Sequence, residues 1–114
     1  MKYILLIWGE EGRTLSEAQR EQVYAGHRAY GEAMTKAGVI RAGAELKPPA
    51  LGGGVRFKNG KPTTMDGPFA ETKEQLGGYY IVETDTLQAA LDWAAKMPGM
   101  KDGAVEVREL GAGA

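Results

Sequence analysis

Six consecutive apolar residues, Tyr3-Ile4-Leu5-Leu6-Ile7-Trp8, stand almost at the head of the chain and constrain its fold more than any other feature. The run is rich in β formers and lacks the polar alternation of a half-solvated strand. It therefore reads as a strand covered on both faces and central in its sheet. It is far too short to span a bilayer. One lysine precedes it and no small-residue cleavage site follows, so it is not read as a signal peptide and the chain is expected to be cytoplasmic.

Downstream, helical and strand periods alternate. Ser16-Glu17-Ala18-Gln19 matches a capping box, so a helix starts there. Val23, His27, Tyr30, Met34 and Ala37 then fall on one face, and Gly38 supplies the stop. Residues 39–46 read as a second strand, ended by Pro48 and Pro49 because proline cannot donate to a ladder. Val55-Arg56-Phe57-Lys58 and residues 61–65 flank Asn59-Gly60, the strongest short hairpin signal in the chain, and Pro62 marks the return arm as an edge. Tyr79-Tyr80-Ile81-Val82-Glu83 is the next core strand. A second helix starts at Asp85-Thr86-Leu87-Gln88, buries Leu87, Ala90, Leu91 and Ala94 with Trp93 on its flank, and stops at Pro98-Gly99. Residues 104–110 alternate apolar and charged, as a half-buried last strand does.

This order, β-α-β, a hairpin insertion, then β-α-β, predicts one domain over residues 1–110 with a flexible tail at 111–114. The fold class is α+β: a ferredoxin-like sandwich with a four-stranded antiparallel sheet and both helices on one face. The helices leave the other face open although the first strand is apolar on both sides. A homodimer, sheet against sheet, is the simplest cover for such a patch.

A chain of 114 residues can bury its own core without disulfides or metal. Its 14 Lys+Arg against 15 Asp+Glu argue against a nucleic-acid-binding stripe and a polybasic membrane surface, and no DNA-recognition helix is visible. With no cysteine and a single histidine, thiol chemistry, thiolate metal sites and His-rich zinc sites are excluded. No metal and no cofactor is expected: Gly52-Gly53-Gly54 opens no helix and lacks the Lys-Ser or Lys-Thr pair of a phosphate cradle.

The residues that could carry chemistry are few. His27 lies on the apolar helix face, either as a core histidine held by one hydrogen bond or as a general acid/base lining a pocket between helix and sheet. Asp66 precedes Gly67-Pro68, where it either shapes a turn through its carboxylate or acts as a pocket carboxylate that orients His27. Glu71, Lys73 and Glu74 form a solvated charge cluster or, through Lys73, an anion-binding edge of a substrate site to which Glu71 and Tyr79 also belong.

Asp66-Gly67-Pro68-Phe69-Ala70-Glu71-Thr72-Lys73-Glu74, followed by Leu76-Gly77-Gly78-Tyr79, resembles the signature of the DGPF-domain branch of the YCII-related family. The opening Met1-Lys2-Tyr3, the Leu91-Asp92-Trp93-Ala94-Ala95 helix and the Val105-Glu106-Val107-Arg108 strand are similar to the rest of that family, so the likeness spans almost the whole chain. The resemblance implies a dimeric α+β barrel of ferredoxin-like protomers. Most members are uncharacterised, and muconolactone-isomerase-like enzymes share the barrel but not the residues. The YCII branch implies a His–Asp pair in a cleft at the sheet, and His27 precedes Gly38 at a spacing similar to that branch. Its aspartate would fall near the end of the same helix, where this chain has Lys36, which makes Asp66 the substitute to test. Two functions follow as expectations. One is a small-molecule enzyme using His27 and Asp66 for proton abstraction, isomerisation or lyase chemistry. The other is a non-catalytic ligand-binding or regulatory module associated with sigma-factor-dependent transcription, a role the resemblance suggests.

Overall fold

The computed structural model describes residues 1–10, 14–67 and 74–114. Eight regular elements follow in the order β1 (Lys2–Glu10), α1 (Glu17–Lys36), β2 (Ile40–Glu45), β3 (Gly53–Lys58), β4 (Lys61–Asp66), β5 (Glu74–Glu83), α2 (Leu87–Ala94) and β6 (Ala104–Glu109), with a short 3-10 turn at Pro49–Leu51. Strands β2, β5, β1 and β6 form one antiparallel sheet in that spatial order, and β3 and β4 pair only with each other. The split β-α-β arrangement is the ferredoxin-like α+β sandwich. The apolar run of β1 is indeed central, paired on both edges.

Local chemistry explains the boundaries. The Ser16 hydroxyl accepts from the Gln19 N–H at 3.1 Å while the Gln19 side chain accepts from the Ser16 N–H at 2.9 Å, a reciprocal cap on two otherwise orphaned donors. Helix α1 ends because Gly38 takes a left-handed φ of 74°, letting the Val39 N–H return to the Met34 carbonyl at 3.0 Å. Asn59 and Gly60 both have positive φ, 51° and 77°, as a type I′ hairpin turn requires.

Strand alternation then sorts the faces. Tyr3 and Leu5 of β1, with Val82 of β5, face the helices and pack on Tyr30, Met34, Ala90, Ala94 and Met97. Leu5, Met34 and Val82 are fully buried, and each such side chain contributes about 1.5–3 kcal/mol through removal from water. Ile4, Leu6 and Trp8, with Tyr79 and Ile81 beside them, point to the opposite face.

Three details differ from the sequence reading. Strand β5 begins at Glu74, so Gly77 and Gly78 lie inside the ladder instead of leading into it. Glycine weakens the strand signal in a sequence, yet here a bare backbone is required: a Cβ on Gly78 would sit 2.8 Å from the Ala44 carbonyl oxygen. Ala37 is the exposed C-cap of α1, not a core position. In α2, Leu87 and Leu91 are 48% and 39% exposed, because the small Ala90 and Ala94 take the contact with the sheet and let the helix approach closely.

Candidate functional site

His27 projects from the sheet-facing side of α1, half-buried, one turn before the buried Tyr30. Its Nδ1 lies 2.7 Å from the Tyr80 hydroxyl oxygen, and the two rings stack with centroids 5.9 Å apart and an interplanar angle of 19°. Tyr80 meets Tyr30 edge-on at 5.4 Å. Tyr30 donates its O–H to the Trp93 carbonyl at 2.6 Å and packs edge-on against the Trp93 ring. Aromatic contacts therefore run from His27 to Tyr80 on β5, back to Tyr30 on α1 and on to Trp93 of α2, which fixes the ring positions of the pair.

A glycine makes room for this arrangement. Gly43 of β2 faces Tyr80 of β5 across the ladder, and a Cβ at Gly43 would come within 2.7 Å of the Tyr80 ring. Gly43→Ala is expected to push the ring away from His27 and to destabilise the fold by about 1–3 kcal/mol through overpacking. Urea unfolding measures the second effect, and a changed His27 imidazole nitrogen shift in NMR reports the first. An unchanged spectrum would refute the positioning role of Gly43.

The electrostatics favour a neutral ring. Burial lowers the His27 pKa below 6.5, and the charge of Glu45 on β2 partly opposes that shift. Glu45 is held by Tyr24, whose O–H donates to Oε1 at 3.3 Å. Burial also raises the pKa of Tyr80, and it pushes Tyr30 up to about 12 with a smaller contribution from Tyr80. At neutral pH the imidazole is thus uncharged and both phenols keep their protons. When Tyr80 donates to Nδ1, Nε2 carries the ring proton and can donate a hydrogen bond to a ligand. When Nδ1–H donates to the Tyr80 oxygen, Nε2 has a free lone pair and can act as a base.

The structure does not bring all the expected residues together. Asp66 is exposed on β4, and its backbone pairs with Gly53; among the described residues no hydrogen bond or ion pair joins it to His27. Tyr79 faces away from the histidine, since it neighbours Tyr80 and a strand turns successive side chains to opposite faces. Glu71 and Lys73 lie outside the described residues, and Lys36 is exposed in the last turn of α1. Two neighbours of His27, Tyr80 and Glu45, are not among the candidate site residues read from sequence. Alternation was the available signal for Tyr80: if Val82 faces the core, so does Tyr80.

Two surface cavities, of about 350 and 450 Å³, open elsewhere on α1. The first is lined by Leu15, Gln19, Val23, Met100 and Lys101 among others, the second by Glu17, Arg20, Glu21 and Tyr24, and neither lining includes His27. Among the described residues no group of three or more His, Cys, Asp or Glu side chains is placed to hold a metal ion. None of the described helices is long and apolar enough to cross a membrane.

A four-stranded sheet of order β2-β5-β1-β6, two helices on one face and a helix-borne histidine against the sheet define a ferredoxin-like α+β protein. The chain belongs to the YCII-related family, whose domain matches residues 1–111. It is 35% identical to the uncharacterised protein R00369 of Rhizobium meliloti (strain 1021) over 114 aligned residues, covering 96% of this chain and 92% of the relative.

Proposed function

We propose that this YCII-related protein is a small-molecule enzyme that moves a proton, with His27 as the acid/base and Tyr80 and Glu45 as its supports. The observation that carries the reading is the 2.7 Å contact between His27 Nδ1 and the Tyr80 hydroxyl, which leaves Nε2 as the working nitrogen. Abstraction of a substrate C–H or O–H proton by Nε2 leaves the electron pair on the substrate and an imidazolium on the protein. The Nδ1–H of that cation donates to the Tyr80 oxygen, and the nearby Glu45 carboxylate stabilises its charge. Return of the proton to a different atom of the substrate completes an isomerisation without any co-reactant.

The Asp66 to Tyr79 stretch supports assignment to the DGPF-domain branch, and the Lys73 and Glu71 region belongs to the same proposal as a substrate-binding edge. A cytoplasmic location suits a cysteine-free chain. The sheet face opposite the helices, where Ile4, Leu6 and Tyr79 are half-buried, supports a sheet-to-sheet homodimer as the working form.

The second reading is a ligand-binding or regulatory module, including the sigma-factor-linked role. What favours it is the stacking of His27 on Tyr80, which packs the ring against the sheet as a structural histidine would be packed. One experiment separates the two. The protein is incubated with a metabolite extract in D₂O, and mass spectrometry follows deuterium incorporation. Enzyme-dependent labelling of one compound class that His27→Ala abolishes supports proton transfer. Ligand retention without labelling supports the module.

A further inference from the structure

We infer that the cavity between the start of α1 and the segment after α2 is a second ligand site, shaped for a small organic anion with an apolar body, namely a short-chain carboxylate. Its volume is about 350 Å³, and two separate parts of the chain wall it: Leu15, Gln19, Gln22 and Val23 on one side, Gly99, Met100 and Lys101 on the other. That volume falls at the small end of the ~300–1,000 Å³ usual for ligand pockets. His27 does not line it, so the inference is independent of the proton-transfer reading.

Close backbone approach sets the two walls. A Cβ on Gly99 would lie 3.2 Å from the Val23 Cγ1, and one on Gly26 would lie 3.0 Å from the Pro98 Cβ. Gly99 also takes a left-handed φ of 74°, which glycine adopts without strain. Glycine at both positions lets the Pro98-Gly99 turn lie directly on α1, and the Ser16–Gln19 box anchors the first turn of that helix beside it. The walls are therefore in place before a ligand arrives, which removes an ordering cost from binding.

The lining identifies the ligand chemistry. Leu15, Val23 and Met100, all half-buried, offer an apolar floor, and the flexible methionine thioether adapts to the shape laid on it. Lys101 and two amides complete the lining. The Gln19 Oε1 accepts from the Ser16 N–H, which leaves the Gln19 NH₂ group as a donor. Among the described lining residues none is acidic, and Lys101 makes no hydrogen bond or ion pair with another described residue. A free ammonium beside an apolar floor selects a ligand that brings its own negative charge. The other cavity on α1 lacks this pattern, since its lining carries two carboxylates, Glu17 and Glu21, along with Arg20.

Two-dimensional amide NMR of the isotope-labelled full-length protein, titrated with hexanoate, tests this, with hexanol and hexylamine as neutral and cationic probes of equal chain length. Hexanoate is expected to shift the Gln22, Val23, Met100 and Lys101 amides saturably. It should bind at least ~3-fold more tightly than hexanol, the scale of a solvent-screened ion pair. That preference should vanish in Lys101→Gln and persist in Lys101→Arg. Lys101 is exposed, so its replacement leaves the core intact. Hexanol or hexylamine binding as tightly as hexanoate, or a preference for hexanoate that survives Lys101→Gln, overturns the inference. So does a wild type in which hexanoate gives no saturable shift, or shifts only residues around His27.

Discussion

Gly78→Val is expected to lower stability by about 3 kcal/mol, at the upper end of overpacking penalties, and to drop Tm by at least ~10 °C for a domain of this size. The cause is backbone against backbone. A Cβ at Gly78 meets the Ala44 carbonyl oxygen at 2.8 Å and the Glu45 Cα at 3.4 Å, and valine adds two further methyl groups. No side chain can rotate aside, so relief requires β2 to move away from β5. That displacement also reaches the site, because β2 carries Gly43 beneath Tyr80 and Glu45 near His27. Calorimetric melting of the variant measures the effect, and an unchanged Tm would show that the two strands do not approach as closely as described.

With His27 as the proposed acid/base, His27→Ala is expected to reduce deuterium incorporation into the substrate by about 10²–10⁴-fold, the usual contribution of such a group. The wild-type rate should fall with acid at a midpoint below pH 6.5, because burial lowers the histidine pKa and the base form persists to lower pH. Stability carries the same sign. A folded-state pKa below the unfolded value near 6.5 means that the unfolded chain binds more protons in that window. The stabilisation is complete above about pH 6.5 and is lost as pH falls toward the folded-state pKa. Wild type should therefore lose more stability than His27→Gln on acidification from pH 7 to pH 5, once the shared carboxylate contribution is subtracted. Urea titrations at the two pH values measure this difference, and parallel losses in the two proteins would contradict a neutral, half-buried ring.

Much of the fold was legible because its determinants are local. The Ser16–Gln19 box, the Gly38 stop and the Asn59-Gly60 turn act over two to five residues, and each forms as read. The Thr86 cap also forms, accepting from the Ala89 N–H at 3.1 Å. The buried stripe of α2 was misread toward Leu87 and Leu91, since hydrophobicity favours leucine while the close approach of helix to sheet favours alanine. His27 was recognisable as a candidate because it is the single histidine on an apolar helix face. Its partner is not legible in the same way, because it is a phenol 53 residues away brought near by strand register.

The sequence by itself determined the order of elements, their caps and turns, and the central place of β1, since periodicity and capping need only neighbours along the chain. The tertiary structure alone decided that Tyr80 meets His27, that Asp66 lies on an exposed strand of the hairpin, and that the hairpin forms a sheet of its own. Those outcomes depend on strand register and on where backbones can touch. Gly43 and Gly78 set both by what they lack, a side chain, and a missing side chain leaves no periodic signal in a sequence.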